Sequence, residues 1–127
     1  RAAAEAAHEA LPPILGRDRD PKAVEASRAN AARAGVDVRF EVAALSTPID
    51  LDAPTGAVVT HPPFGVRMDA DRALAPLYRA LGGVAPRGWS LTLVCPDRAL
   101  ARRADPRVEP VLGTDAGGLK VTVWRRV

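Results

Sequence analysis

Apolar residues change their spacing several times along the chain, and each change marks an element. Arg1–Ala10 is a run of strong helix formers stopped by Pro12-Pro13, so it predicts a helix. Ile14-Leu15-Gly16 predicts a short strand. Asp20 offers a side-chain oxygen and Pro21 a fixed φ, the signature of a helix start, and Gly35 supplies a left-handed stop after about Ala34. Val24, Ser27, Ala31 and Ala34 form a narrow stripe of small residues suited to packing on a sheet. From Val36 to Val42 apolar and polar residues alternate with the period of a strand. Ala57-Val58-Val59-Thr60 reads as a short, fully buried strand ended by His61-Pro62-Pro63-Phe64-Gly65. Leu74, Leu77, Tyr78 and Leu81 recur at helical spacing, with Pro76 expected in the first turn and Gly82-Gly83 at the close. Ser90–Cys95 is another strand, followed by a short helix to about Ala104. Val108–Val111 and Leu119–Trp124 form a hairpin through Asp115-Ala116-Gly117-Gly118.

Strands alternating with helices and ending in a hairpin predict an α/β domain with a mostly parallel sheet and an antiparallel C-terminal edge. No linker-like tract or internal repeat interrupts residues 1–127, so one domain is expected. In doubly wound sheets, ligands sit over the C-terminal strand ends. The loops after Gly16 and Thr60 are therefore expected to face a common site.

Composition narrows the function classes. Of the 127 residues, 47% are hydrophobic, enough for a buried core, and no apolar run approaches the roughly 18 residues of a membrane span. With no signal-peptide pattern either, a cytoplasmic protein without a membrane partner is expected. The one cysteine, Cys95, can neither pair internally nor build a cysteine-rich metal site; it reads as a core thiol, and no metal is expected. A net charge of +3 is compatible with a polyanionic partner.

The two loops carry the motifs. Gly16-Arg17-Asp18-Arg19-Asp20-Pro21, the helix bearing Asn30 and ending at Ala34-Gly35, and Thr60-His61-Pro62-Pro63-Phe64-Gly65-Val66-Arg67 occur in that order. In this setting they resemble the C-terminal part of a class I methyltransferase domain. The group is that of the S-adenosylmethionine-dependent guanine-N2 methyltransferases of ribosomal and transfer RNA, which often carry an upstream THUMP RNA-binding domain and are related to N6-adenine methylases. The resemblance runs from the strand at Ile14 to the final hairpin. It implies a Rossmann-like fold, S-adenosylmethionine as cofactor and structured RNA as partner.

The chemistry of that group accounts for the residue types. An acidic side chain at the strand end can accept hydrogen bonds from both ribose hydroxyls of the cofactor, and Asp18 holds the matching position, with Arg19 beside it. Asp20 caps the helix. The alternative for Asp18 is a turn residue bonded to its own backbone. An exocyclic amino group is a poor nucleophile because its lone pair is delocalised into the ring. The resemblance implies that the side chain at position 61 and a carbonyl from Pro62 accept the two amino hydrogens, while Pro63 keeps the loop extended and Phe64 stacks on a base taken out of its stack. For Phe64 the alternative is a core aromatic at the sheet end. Gly65 lets the backbone pass close to the base, and Arg67 stands where a phosphate contact is often found, unless it is simply solvated.

The chain departs from the family pattern at three places. His61 replaces asparagine or aspartate; a neutral imidazole accepts one hydrogen bond, whereas a charged one would repel the sulfonium. Activity is therefore expected to rise with pH through the range in which histidine ordinarily loses its proton. Ala44, at the end of the next strand, where an aspartate often meets the adenine amino group, offers no side-chain acceptor. The glycine-rich loop after the first strand is missing, and the chain starts inside the helix that should follow it. Either a truncated sequence or a degenerate relative is expected, with apolar sheet edges that make a stable isolated monomer unexpected.

Two further readings stay open: an N6-adenine methyltransferase acting on DNA or RNA, and a non-catalytic RNA-binding relic of such an enzyme. A general dinucleotide-binding fold gives no reason for the Pro62-Pro63-Phe64 turn. The remaining residues with a chemical look read as structural. His8 is a surface residue without a partnered ligand. Trp89 and Trp124 pack beside the last strands. Arg102, Arg103, Arg125 and Arg126 belong to a solvated face that could extend a basic surface.

Overall fold

A computed structural model of the chain describes residues 11–64 and 70–127. The predicted helix over Arg1–Ala10, with His8, and the positions Gly65 and Arg67 lie outside the described residues. The elements run β1 (Leu15–Asp18), α1 (Pro21–Ala34), β2 (Arg39–Val42), β3 (Ala57–Thr60), α2 (Ala70–Gly82), β4 (Ser90–Cys95), α3 (Arg98–Ala104), β5 (Glu109–Ala116) and β6 (Leu119–Arg126). They fall into two compact units, residues 1–44 and 45–127.

In the first unit β1 and β2 pair in parallel, with Leu15 opposite Arg39 and Asp18 opposite Val42. The register also sets Arg17 opposite Glu41, and their side chains form an ion pair at 3.0 Å. Helix α1 starts as expected: the Asp20 carboxylate accepts the Lys22 N–H at 3.0 Å, and Pro21 fills the first turn. Gly35, left-handed at φ 69°, ends it. The stripe on α1 is narrower than predicted, for Val24 is buried, Ser27 and Ala31 are half-buried and Ala34 is exposed. Strand β2 begins three residues later than the alternation suggests. The Val36 N–H is spent on the Ala31 carbonyl, closing the helix, so the chain joins the ladder only at Arg39, whose N–H reaches the Ile14 carbonyl. Val36 is accordingly exposed.

In the second unit the strands lie in the order β3-β4-β6-β5, with β3 parallel to β4 and the β4–β6 and β6–β5 pairs antiparallel. The described strands thus contain two parallel and two antiparallel pairs. The core gathers Leu74, Tyr78 and Leu81 of α2, Leu91, Leu93 and Cys95 of β4, Ala101 and Ala104 of α3, and Val108 and Trp124. Strand β4 is its centre because it has a neighbour on each side and buries alternate residues. Strand β3 is not the fully buried strand predicted. It forms the edge of this ladder, and Ala57 and Val59 face outward, Val59 being 74% exposed. A run of apolar residues does not distinguish a covered strand from an edge one, because coverage depends on neighbours elsewhere in the chain.

Pro76 lies in the middle of α2 rather than in its first turn, because the helix begins at Ala70. Its ring is exposed, so the three core residues of the helix keep their register. At the other end Gly82 is required by packing: a Cβ there would run into the Ala104 carbonyl at the end of α3. The final hairpin is longer than predicted. Its turn is only Gly117-Gly118, both at positive φ (61° and 87°), and the Asp115 carboxylate accepts the Gly118 N–H at 2.7 Å. Trp89 and Trp124 are buried, as expected, and each indole N–H finds a carbonyl, that of Ala53 at 2.9 Å and that of Cys95 at 3.0 Å.

Candidate active site

In the first unit Asp18 ends β1, where the parallel ladder stops and the chain turns into α1. Its Oδ1 accepts the Asp20 N–H at 2.8 Å, so the local turn that is the alternative for this residue is formed. That bond also fixes the direction of the carboxylate and uses one oxygen only. The side chain is exposed, and Oδ2 has no partner among the described residues. A fixed, outward-facing carboxylate oxygen can accept a hydroxyl donor, and in this respect the residue fits a ribose. Arg19 is exposed beside it. Ala44, two residues beyond β2, presents no side-chain acceptor. Asn30, on the exposed side of α1, accepts from the Arg33 guanidinium and has a structural task.

In the second unit His61-Pro62-Pro63-Phe64 leaves the C-terminal end of β3. The ladder sets Thr60 opposite Leu93, so the chain departs beside the C-terminal half of β4. Neither proline has an N–H, and this segment cannot close itself with bonds donated by residues 62 and 63. Pro62 is buried while His61 and Pro63 are exposed. Phe64 is half-buried and stands outside the hydrophobic core, which argues against a core aromatic at the sheet end. The rings of His61 and Phe64 stack with centroids 5.3 Å apart and planes 28° apart. One face of Phe64 is therefore shared with the imidazole.

Tyr78, which the sequence marks only as a core position of α2, reaches this loop. Its hydroxyl donates to the Pro63 carbonyl at 3.2 Å, while its ring is wholly buried among the core residues. Burial pushes the phenol far above its ordinary range, and the adjacent Cys95 adds to that shift. Burial likewise pushes the Cys95 thiol up, partly offset by the Asp97 backbone and the neighbouring Tyr78 hydroxyl. Both groups stay protonated around neutral pH, so Tyr78 remains a donor. The fully buried thiol is the core residue the sequence suggests. Among the described residues no three His, Cys, Asp or Glu side chains gather as a metal site would require, and no helix is long and apolar enough to cross a membrane.

Comparison with known proteins places these two strand-end loops in context. Residues 1–112 match the RMKL-like methyltransferase domain family, UPF0020. The ribosomal RNA large subunit methyltransferase K/L of Chromohalobacter salexigens is 38% identical over 104 residues, covering 76% of this chain and 14% of that protein. The chain thus spans about a seventh of the length of this relative. Among solved structures, the protein SMU.472, crystallised with SAH, aligns over 98% of this chain and 34% of its own at 26% identity, with a TM-score of 0.84. A possible methylase from Clostridium difficile 630 aligns over 92% of this chain and 32% of its own at 25% identity and a TM-score of 0.79. TrmN from Thermus thermophilus, 23% identical with a TM-score of 0.68 over 89% of this chain and 35% of its own, shares the fold. The strands and helices are those of a Rossmann-like class I methyltransferase, and the chain belongs to the RMKL-like methyltransferase domain family.

Proposed function

We propose that residues 1–127 form part of the catalytic domain of a cytoplasmic RNA methyltransferase. It would transfer a methyl group from S-adenosylmethionine to the exocyclic amino group of a base, guanine N2 in large-subunit ribosomal RNA. The observation that carries this reading is the proline loop at the end of β3: its backbone is tied to the core, its aromatic ring stands outside that core, and the chain belongs to a methyltransferase family. The identity with a large-subunit methyltransferase supports the choice of ribosomal RNA.

Each residue then has a task. Asp18, with one oxygen fixed by the Asp20 N–H, turns its other oxygen to the ribose hydroxyls of the cofactor, and Arg19 flanks it. S-Adenosylmethionine, when bound, supplies a methyl group activated by the sulfonium. Pro62 accepts one amino hydrogen of the base through its carbonyl, and the neutral imidazole of His61 accepts the other, which aims the nitrogen lone pair at the methyl carbon. The ring of Phe64 stacks on the extruded base with the face that His61 does not cover. Pro63 fixes the backbone between them. Arg67, outside the described residues, is assigned to a backbone phosphate.

The test is transfer of labelled methyl to ribosomal RNA that lacks the modification. Loss of a stacking contact worth about 1–3 kcal/mol should lower transfer by Phe64→Ala roughly ten- to a hundredfold. Undiminished transfer by that variant would remove the stacking role. The second reading, an RNA-binding relic, is favoured by His61 at the acceptor position and by Ala44. Retained RNA binding with neither cofactor binding nor transfer would establish it.

A further inference from the structure

We propose that Tyr78 is a positioning residue for the methyl-acceptor loop, holding the Pro63 carbonyl so that the neighbouring Pro62 carbonyl stays free and correctly turned toward the amino group of the base. The inference rests on the reading of His61–Phe64 as that loop.

Two consecutive prolines keep the loop extended but deprive it of two N–H donors, which leaves its carbonyls as the main places where a donor from elsewhere can hold it. Tyr78 supplies one at 3.2 Å from a helix fifteen residues further along the chain. The donor itself is rigid. The Tyr78 ring has no solvent exposure and lies in the core with Leu81, Leu93 and Cys95. Cys95, whose thiol neighbours the phenol, is fixed in turn: its carbonyl accepts the Trp124 indole, and its sulfur lies 3.3 Å from the Asp97 carbonyl and 3.4 Å from the Asp97 N–H. The loop is thereby referred to strand β4 and the core rather than to its own backbone.

The position of the bond decides what it can do. Rotation of a peptide plane moves its carbonyl oxygen and, through the shared proline φ, constrains the planes next to it. Holding the Pro63 carbonyl inward keeps it from competing for the amino hydrogens and leaves that task to Pro62. A phenylalanine at position 78 would fill the core equally well and lack only the donor.

The experiment uses Tyr78→Phe and a label that the sequence makes unique. Within residues 1–127 Pro63-Phe64 is the one place where proline precedes phenylalanine, so in this stretch proline labelled with 13C at the carbonyl and phenylalanine labelled with 15N report this peptide alone. Loss of the bond should move the Pro63 carbonyl resonance upfield. Turnover in methyl transfer to ribosomal RNA should fall about ten- to a hundredfold, the cost of slight misplacement of a reacting group. The affinity for S-adenosylmethionine should be unchanged, since Asp18 is untouched. An unmoved carbonyl resonance would show that the anchor does not exist in solution, whatever the activity. A moved resonance with wild-type turnover would show that the anchor has no part in positioning. If the whole protein that carries these residues methylates no RNA with Tyr78 intact, the functional reading itself fails and the positioning role with it. The resonance would then still tell whether the anchor is real.

Discussion

Asp18 is held by a backbone N–H two residues away, whereas Pro63 is held by a side-chain hydroxyl fifteen residues away on another element. The first arrangement is local: Asp-x-Asp-Pro at a strand end closes a turn and caps a helix by itself. The second depends on where α2 lies and on which of its faces enters the core. The first loop should therefore tolerate change in the rest of the protein, while the second should be sensitive to anything that shifts α2, α3 or β4.

The sharpest way to break this contrast is to displace α2 without touching either loop. Gly82→Ala places a methyl group against the Ala104 carbonyl, which belongs to backbone and cannot rotate away. Overpacking of this kind should cost roughly 3 kcal/mol. The expected result is a lower denaturant midpoint and impaired methyl transfer, with α1 and the Asp18 turn unaffected by hydrogen exchange. Equal loss of protection in both units would show that the Asp18 turn depends on the rest of the protein after all.

A smaller, pH-dependent effect is expected at Asp105, which lies just past α3 and is only 6% exposed. The Arg107 side chain, donating at 3.1 Å and 3.0 Å, holds this carboxyl below its ordinary range against the opposing effect of burial, and Arg126 contributes at 3.2 Å. A depressed carboxyl stabilises the folded chain at pH values above its unfolded-state pKa. That contribution disappears as pH falls through the folded-state value. Asp105→Asn should cost about 2 kcal/mol at neutral pH. The gap in thermal midpoint between the two proteins should start to narrow below about pH 4 and close only beneath the lowered folded-state value. A gap independent of pH would mean that shape rather than charge ties the end of α3 to β6.

What the sequence discloses follows the same division. The limits of α1, its Asp20 cap and Gly35 stop, the bounds of β4 and the alternation that buries Leu91, Leu93 and Cys95 depend on neighbouring residues and were readable directly. Where a distant partner decides the outcome, the pattern misleads. Val36 continues the alternation of β2 but its N–H goes to the helix end, and Val59 has the composition of a covered strand but lies on an edge. Likewise the proline loop announces itself by composition, while Tyr78 looks like one more core residue, because the spacing that buries its ring says nothing of where its hydroxyl ends. An indirect signal existed: a wholly buried phenol needs an acceptor, and a double proline needs a donor.

The smallest expected effect on stability gives the clearest separation of roles. Asn at position 18 retains Oδ1, so Asp18→Asn keeps the acceptor for the Asp20 N–H at 2.8 Å and should change stability by less than about 0.5 kcal/mol. The variant replaces Oδ2 with an NH2 donor and removes the charge. The ribose hydroxyls that had donated to Oδ2 would then face an NH2 donor, and the affinity for S-adenosylmethionine should drop on the order of tenfold, equivalent to about 1.4 kcal/mol. Calorimetric titration of the cofactor, with thermal unfolding beside it, measures both quantities on the same sample. Equal affinity in the two proteins would leave the turn as the whole purpose of Asp18. A tenfold loss at unchanged stability would assign the second oxygen to the cofactor, because the turn alone is indifferent to the substitution.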